Sequence, residues 1–261
     1  MKRYFYIFFK SFKFSLINQM QHKFNFLLML PVNLVWTMEE IFITFIFYNY
    51  TNMMYGWQKE EFILLIGTYF IVDSLFTSVL LPNINDLSER IRTGNLDFFL
   101  LKPIDTQFLA MTHRVDVGLV YAFSIGVSVV AISLAQLDIG LPVYKLLLYI
   151  LLVINGALCF ASIVFILGSF AFKTIKIDYV DSIFLTFAQF CKKPFDIYPA
   201  LVKKLMLYLV PLGFVSYVPS AFLLNKIGYV WLLSFAITPL LFWISRKIWL
   251  MSLRDYEGAS A

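Results

Sequence analysis

Residues 146–172 read LLLYILLVINGALCFASIVFILGSFAF and contain no charged side chain. About 20 apolar residues in an α-helix are enough to cross the hydrocarbon core of a bilayer. Two further runs, 117–135 and 227–245, are also uncharged. The chain of 261 residues is 61% hydrophobic and 14% charged, whereas an average soluble domain has about 25% charged residues. The short alternating strands of a β-barrel do not occur. The sequence therefore predicts an all-α, multi-pass membrane protein.

Six membrane-spanning helices are predicted, with both ends of the chain on the cytoplasmic side. Pro31 is expected to kink the first span, and charged pairs are expected to end the fourth (Lys173 and Lys176) and the last (Arg246 and Lys247). Cys159 and Cys191 are interpreted as packing residues. Five of the spans are placed at 24–47, 61–81, 115–136, 144–170 and 228–245.

The region 174–226 allows two positions for the remaining span. One alternative is a short span at 176–194, followed by an external pair of helices at 199–225; the other is a span at 205–225, interrupted by Pro211 and Pro219. The first leaves 14 of the 21 lysines and arginines inside, and the second leaves 18 inside. The second moves Lys192, Lys193, Lys203 and Lys204 inside, so the positive-inside rule favours it.

The N-terminal residues 1–22 are predicted to form a helix that lies in the headgroup layer. Arg3, Lys10 and Lys13 follow one side of this helix, and aromatic residues cover much of the rest. Lys10 and Lys13 interrupt the apolar core that a cleaved signal peptide would need. We therefore expect a retained interfacial helix.

The segment 85–105, NDLSERIRTGNLDFFLLKPID, is too charged to lie in lipid, yet it contains four consecutive apolar residues at 98–101. Gly94 is expected to end a helix at Leu87–Arg92, Asn95 to cap a new helix, and Pro103 to end it. A helix over Leu96–Lys102 is too short to be stable alone in water. It is expected to dock into a groove of another protein, to dip into the headgroup layer, or to pack on the chain's own helices.

The sequence offers no evident catalytic site and no expected cofactor or metal. No glycine precedes a lysine, which excludes a GxxxxGK[ST] phosphate loop, and no zinc-ligand spacing occurs. Glu39, Glu40 and Asp73 lie inside predicted spans. Because a carboxylate at such depth is costly unless it faces water or a partner, these residues are candidates for a translocation pathway. The same residues suggest an alternative, an ion-coupled secondary carrier.

Three stretches of the sequence form a recognisable set: ERIRTGNLDFFLLKPID, then DYVDSIFLTFAQFCKKPFDIYP with LVPLGFVSYVPSAFLL, and the closing RDYEGAS. Together they resemble the permease subunits of ABC transporters of the ABC-2 type, in particular the drug- and antibiotic-export branch. The resemblance covers nearly the whole chain and implies a single permease domain, 1–261, which contains a coupling helix within 85–105 and an external re-entrant region at 195–226.

The resemblance also implies partners and roles for residues. A separate ATPase subunit would hold ATP and Mg²⁺, a second permease copy or a related permease would complete the pathway, and the location would be the cytoplasmic membrane of a bacterium. It implies the first alternative, with 176–194 as the span. The external gate would comprise Tyr198, Pro199, Pro211 and Pro219. The residues assigned to ATPase coupling are Glu89, Arg90, Arg92, Gly94, Leu96, Asp97, Phe98, Phe99, Leu100, Lys102 and Pro103.

Overall fold

The computed structural model describes residues 2–21, 23–116, 118–137, 139–172 and 178–256. These residues are mostly helical and include no β-strand, only one isolated β-bridge between Met54 and Trp57. The predicted helix end at Lys173 and Lys176 and the last residues of the RDYEGAS motif lie outside the described ranges. Twelve α-helices are named here: α1 Lys2–Gln21, α2 Lys23–Tyr50, α3 Lys59–Leu75, α4 Leu81–Arg92, α5 Asp97–Leu100, α6 Thr106–Thr112, α7 Gly118–Leu137, α8 Val143–Ser169, α9 Asp178–Cys191, α10 Ala200–Lys204, α11 Tyr217–Leu223 and α12 Val230–Arg254.

Four helices within the described ranges are long and apolar enough to cross a membrane. They are Lys59–Arg92, Val120–Leu137, Val143–Ser169 and Val230–Arg254, and they correspond to the predicted second, third, fourth and last spans. The predicted first span coincides with α2, which has 28 residues. The shorter α9, with 14 residues, covers most of the predicted 176–194 span. The structure thus supports a multi-pass membrane protein, and the count of six spans stays a prediction.

The helices that contain the second and last predicted spans are longer than those spans. The helix of the second span does not end near residue 81, because α3 continues through a π-helical turn at Phe76–Leu80 into α4. The resulting helix of 34 residues is about 51 Å long at 1.5 Å per residue, well beyond a hydrocarbon core of about 30 Å. The helix of the last span likewise continues past Arg246 and Lys247 to Arg254. Charged residues mark where a helix leaves lipid, and they do not by themselves end it.

Pro82, inside the long helix, leaves a backbone carbonyl to which the segment before α7 is bonded. Proline has no backbone N–H, so the carbonyl four residues earlier loses its helical donor. That carbonyl, of Ser78, accepts a hydrogen bond from the backbone N–H of Asp116 at 2.6 Å. Pro82 therefore creates a fixed attachment point for the chain between α6 and α7.

Helices α3 and α7 are packed closely because glycines face the contact. A Cβ atom added at Gly67 would lie 2.9 Å from Cγ1 of Val129, and one at Gly126 would lie 2.9 Å from the backbone nitrogen of Ile71. Such distances are too short for real carbon atoms. Only glycine at both positions allows the two backbones to approach this closely.

Residues 195–226 form a series of short helical pieces instead of one continuous helix. Tyr198 and Val210 precede prolines and adopt non-helical ψ angles of 148° and 83°, as expected for residues before proline. Pro219 lies in the first turn of α11, where a missing N–H costs little. The backbone of Phe214 packs directly against Gly156 of α8, with no room for a Cβ. The alternative of a continuous helical span at 205–225 is therefore not what the described chain forms.

Contacts at the ends of the bundle favour 176–194 as the crossing segment. The indole N–H of Trp57, in the loop between α2 and α3, donates to Asp196 at 2.8 Å. Lys226 contacts Glu61 at 2.8 Å. Residues on both sides of 205–225 therefore lie at the same end of the bundle as Trp57, which we call the Trp57 end. The opposite end, where Arg246 pairs with Asp105, is called the Asp105 end.

Candidate functional site

The segment between α4 and α6 reverses direction at Gly94. This glycine has φ of +75°, a conformation that side chains disfavour. The backbone N–H of Leu96 then bonds to the carbonyl of Arg90 at 3.2 Å. The new helix is α5, Asp97–Leu100, so the predicted helix over Leu96–Lys102 is too long. The predicted cap is also wrong, because the Asn95 side chain bonds to Thr93 at 2.9 Å and does not cap α5.

The apolar residues of this segment include two buried ones and two strongly exposed ones, with Leu100 between them at 42% exposed. Leu96 and Phe99 are 0% and 3% exposed and belong to the core, whereas Phe98 and Leu101 are 64% and 81% exposed. The prediction treated Phe98 and Phe99 as one docking element. The structure corrects this, because Phe99 packs on the chain's own helices, whereas Phe98 is exposed and accessible to another molecule.

Cationic side chains surround the buried ring of Phe99. The Arg90 guanidinium lies 4.7 Å and the Lys102 ammonium 5.2 Å from the ring centroid, distances at which cation–π attraction operates. His113 contacts the same ring, with centroids 5.2 Å apart. Burial lowers the pKa of His113, and the charges of Arg90 and Lys102 lower it further. The surroundings of this ring are therefore electropositive.

A hydrogen-bond hub holds the base of the segment. Asn83 is 2% exposed and donates to the carbonyls of Met111, at 3.1 Å, and Arg114, at 2.6 Å, while its oxygen accepts the Arg114 N–H at 2.9 Å. Sequence reasoning missed this residue. The available signal was an amide directly after Leu81-Pro82 in an otherwise apolar run.

The same base is tied to α12 by an ion pair. Arg246 binds both carboxylate oxygens of Asp105 and donates to Gln107 at 2.9 Å. Asp105 also caps α6 by accepting the Phe108 N–H at 3.0 Å. The exposed pair Phe98 and Leu101 is thus carried on a base with several fixed attachments. Two of the other residues assigned to ATPase coupling on the sequence, Arg90 and Gly94, are half-buried. The rest are exposed: Glu89, Arg92, Asp97, Leu100, Lys102 and Pro103.

Two of the three candidate pathway carboxylates meet in one polar cluster. Glu40 of α2 forms an ion pair with Lys192 at 2.5 Å. Lys192 also lies 5.7 Å from the ring centroid of Tyr69, and the Tyr69 hydroxyl donates to Asp73 at 2.9 Å. Glu39 is exposed and lies outside this cluster. Sequence reasoning considered a lysine as a neutralising partner but did not identify Lys192.

The assigned external-gate residues all belong to the segment 195–226, but Pro211 lies deeper in the bundle than Tyr198 and Pro199, beside Cys159 of α8. Tyr198 packs between Phe190 and Phe195, with ring centroids 5.6 and 5.7 Å apart. Pro199 precedes α10, and the carbonyl of Pro211 accepts a contact from the thiol of Cys159 at 3.5 Å. Pro211 and Pro219 are buried. Cys159 and Cys191 are free and buried, which confirms them as packing residues.

Asp196 is the centre of this region and was missed on the sequence. Its carboxylate accepts hydrogen bonds from Trp57 at 2.8 Å, Lys203 at 2.5 Å and Tyr217 at 3.2 Å. Burial raises the pKa of Asp196, but the bonds from Lys203 and Trp57 outweigh it, so the pKa lies below its usual value. Burial lowers the pKa of Lys203, and the bond to Asp196 outweighs it in turn, so this pKa lies above its usual value. Both groups are charged near neutral pH.

These features together define a multi-pass helical membrane protein with ion pairs at both ends of the bundle and the cluster of Glu40, Lys192 and Asp73 between them. A family model described as ABC-2 family transporter protein matches residues 34–260. The chain therefore belongs to the ABC-2 transporter family, as a permease component of an ABC transporter, and membership implies an ATPase partner. No curated protein and no solved structure matches the chain in the other two comparisons.

Membership in this family argues against the ion-coupled secondary carrier. That alternative used Glu39, Glu40 and Asp73 as proton or cation sites. Glu40 is neutralised by Lys192 and Asp73 accepts a hydrogen bond from Tyr69, so neither is without a partner.

Proposed function

We propose that the chain is the membrane-spanning subunit of an ATP-driven exporter and that a separate ATPase subunit binds Phe98 and Leu101. The observation that carries the proposal is the contrast between these exposed residues and the buried residues Leu96 and Phe99 beside them. Two large apolar side chains held in water by a fixed base are typical of a docking element. ATP and Mg²⁺ would be held by the ATPase, and this chain would hold neither.

The mechanism we propose transmits movement along the long helix. The docking segment bonds to the end of α4 through Leu96 and Arg90, and α4 continues into α3, which begins beside the external loop at Trp57. The π-helical turn at Phe76–Leu80 interrupts this connection, and such turns are common at functional positions. Displacement of Phe98 by the ATPase would thus reach the Trp57 end and rearrange the segment 195–226 against it.

The external gate in this proposal comprises Tyr198, Pro199, Pro211 and Pro219. They belong to short helical pieces, which have fewer internal hydrogen bonds than a continuous span and can move separately. Glu40 and Asp73 would line the pathway in a dimer of two permease copies, or of this chain with a related permease. The Asp105 end would be cytoplasmic, with both termini at that side of the cytoplasmic membrane of a bacterium.

Site-specific photo-crosslinking tests the ATPase contact. Benzoylphenylalanine would replace Phe98 or Leu101 in the full chain, co-expressed with the ATPase encoded nearest to it. Both positions are expected to crosslink to that ATPase. The matched controls are Phe99, which is buried, and Tyr229, which is 84% exposed at the Trp57 end. The proposal is wrong if Tyr229 crosslinks to the ATPase as efficiently as Phe98, or if Phe98 does not crosslink to it.

The dimer is tested on the same preparation. Native mass spectrometry of the detergent-purified complex is expected to show two permease chains with two ATPase chains. A stable complex with a single permease chain would contradict a pathway formed between two copies.

A further inference from the structure

A large cavity lies between the N-terminal helix and the docking segment, at the Asp105 end. Its volume is about 1020 Å³, and residues of α1 form one wall while residues from Asp86 to Tyr121 form the other. The lining includes Ser11, Asn18 and Gln21 on α1. Hydroxyl and amide groups of this kind donate hydrogen bonds to phosphate oxygens. The cavity is large enough for a lipid headgroup.

Cations outnumber carboxylates in this cavity. Four cationic side chains line it, against two carboxylates, Asp86 and Asp116. Asp86 lies 3.6 Å from Arg90 and 3.8 Å from Arg114, so one carboxylate faces two guanidinium groups. Asp116 accepts the backbone N–H of Gly118 at 2.7 Å. The four cations are Lys10, Arg90, Lys102 and Arg114.

The two lysines are the cations that remain available for a ligand. Lys10 lies over the ring of Tyr6 at 5.9 Å and Lys102 over the ring of Phe99 at 5.2 Å. Within the described ranges, neither forms an ion pair with a carboxylate. His113 also lines the cavity, and its pKa is lowered by burial and further by Arg90 and Lys102, while Asp86 raises it. An anion that entered the cavity would interact favourably with Lys10 and Lys102.

The position of α1 places the cavity at the depth of lipid phosphates. Phe5 and Phe9 are 69% and 53% exposed, and aromatic residues on the outer face of an amphipathic helix lie at the boundary of headgroups and acyl chains. The inner face of α1 is held to the bundle, because Ser15 accepts the Val115 N–H at 3.1 Å and Tyr4 contacts the ring of Phe108. The cavity behind this helix is therefore level with the phosphate layer.

From these observations we infer that the cavity between α1 and the docking segment binds a phosphate group, with Lys10 and Lys102 as its principal contacts. An anionic lipid headgroup and free phosphate share this chemistry. The inference does not depend on ATPase binding. A phosphate bound beside Phe99 would nevertheless influence the docking segment.

The test compares lipid binding by the full-length protein and two charge-matched variants. Native mass spectrometry would titrate purified protein with phosphatidylglycerol and, separately, with phosphatidylcholine. The variant Lys10→Gln/Lys102→Gln is expected to bind phosphatidylglycerol about 10- to 30-fold more weakly than the unchanged protein, from the typical contribution of a lysine near an anionic headgroup. The control is Lys193→Gln/Lys204→Gln, which removes two exposed lysines at the Trp57 end and is expected to leave this binding unchanged. All four lysines are exposed or lie at the cavity mouth, so size-exclusion profiles should match.

Inorganic phosphate supplies the second arm. A thermal shift with inorganic phosphate that is absent from the Lys10→Gln/Lys102→Gln variant would support the site and make free phosphate a ligand. A response to phosphatidylglycerol alone, lost in the same variant, would support the site and identify a lipid headgroup. The inference is overturned if phosphatidylcholine binds as tightly as phosphatidylglycerol and phosphate gives no shift, or if the control variant loses as much binding as the cavity variant.

Discussion

Replacing Phe98 and Leu101 with serine should weaken ATPase binding without unfolding the permease. Full burial of a Phe or Leu side chain is worth about 1.5–3 kcal/mol. Because Phe98 is 64% and Leu101 81% exposed, that fraction is still available for burial by a partner, which gives about 2–4.5 kcal/mol for the pair. At about 1.4 kcal/mol for each factor of ten, the affinity should fall roughly 30- to 1,000-fold.

The matched comparison is Phe99→Ala, which changes the residue next to Phe98; Phe99 is buried, whereas Phe98 is exposed. Phe99 is 3% exposed, and removing a buried phenylalanine costs about 3–5 kcal/mol of stability. This variant should therefore lose thermal stability and ATPase binding together. Phe98→Ser/Leu101→Ser should lose binding while its unfolding temperature stays close to that of the unchanged protein.

The assay is biolayer interferometry of the ATPase on nanodisc-embedded permease, with thermal unfolding of the same samples. Tyr229→Ser is the control for loss of an exposed aromatic residue at the Trp57 end, and it should leave affinity unchanged. The reasoning is refuted if Phe98→Ser/Leu101→Ser binds the ATPase within a factor of about two of the unchanged protein. It is also refuted if Phe99→Ala loses binding with no loss of stability, because the buried residue would then be a direct contact.

Three further predictions concern the Trp57 end. Asp196→Asn should lower the unfolding temperature by removing the charged acceptor of the Trp57 N–H, a bond worth about 1.5–3 kcal/mol. The folded pKa of Asp196 lies below its usual value, so the stability that this carboxylate supplies is present above the unfolded pKa and is lost as pH falls through the folded pKa. Unfolding temperatures measured against pH should therefore fall less at acid pH in the variant, and an equal fall in both proteins would refute this. Gly156→Leu should displace the chain at Phe214 and abolish transport, while the helical circular dichroism signal persists. The control Ala157→Leu, at the adjacent half-buried position, should retain more transport, and equal transport by both variants would contradict the prediction. A cysteine in place of Ala200 should react with an impermeant thiol reagent added to intact cells, since both native cysteines are buried, and labelling only after lysis would contradict the external position.

Hydropathy and the family resemblance predicted an all-α, multi-pass membrane protein. They did not predict the helix ends and the side-chain burial that depend on long-range contacts. The uncharged run at 146–172 predicted α8 within a few residues, because a bilayer requires an apolar helix of that length. The continuation of the second span's helix past Leu81 could not be predicted, because that part of the helix is stabilised by contacts with the distant residues Met111 and Arg114. The difference between Phe98 and Phe99 depends on which side of a four-residue helix meets the core, and a run of consecutive apolar residues has no periodicity that reveals it.

The conflict between charge counting and the position of the fifth span has a physical explanation. The positive-inside rule counts lysines and arginines as if each were free to choose a side of the membrane. Two of the four lysines that counted against the 176–194 crossing are bound to carboxylates, Lys192 to Glu40 and Lys203 to Asp196. Lys226, which is outside in both alternatives, is bound to Glu61 at the Trp57 end in the same way.

A lysine bound in this way contributes little net charge, and moving it to the other side would leave its carboxylate partner unpaired. Glu40 makes the point most strongly, since it lies in an apolar helix and its pairing with Lys192 requires the end of α9 to lie beside α2. The lysines at this end are therefore a consequence of the acidic residues on α2, on α3 and before α10. A count that includes those carboxylates removes about half of the objection to 176–194 as the crossing segment, because among the described residues Lys193 and Lys204 form no ion pair.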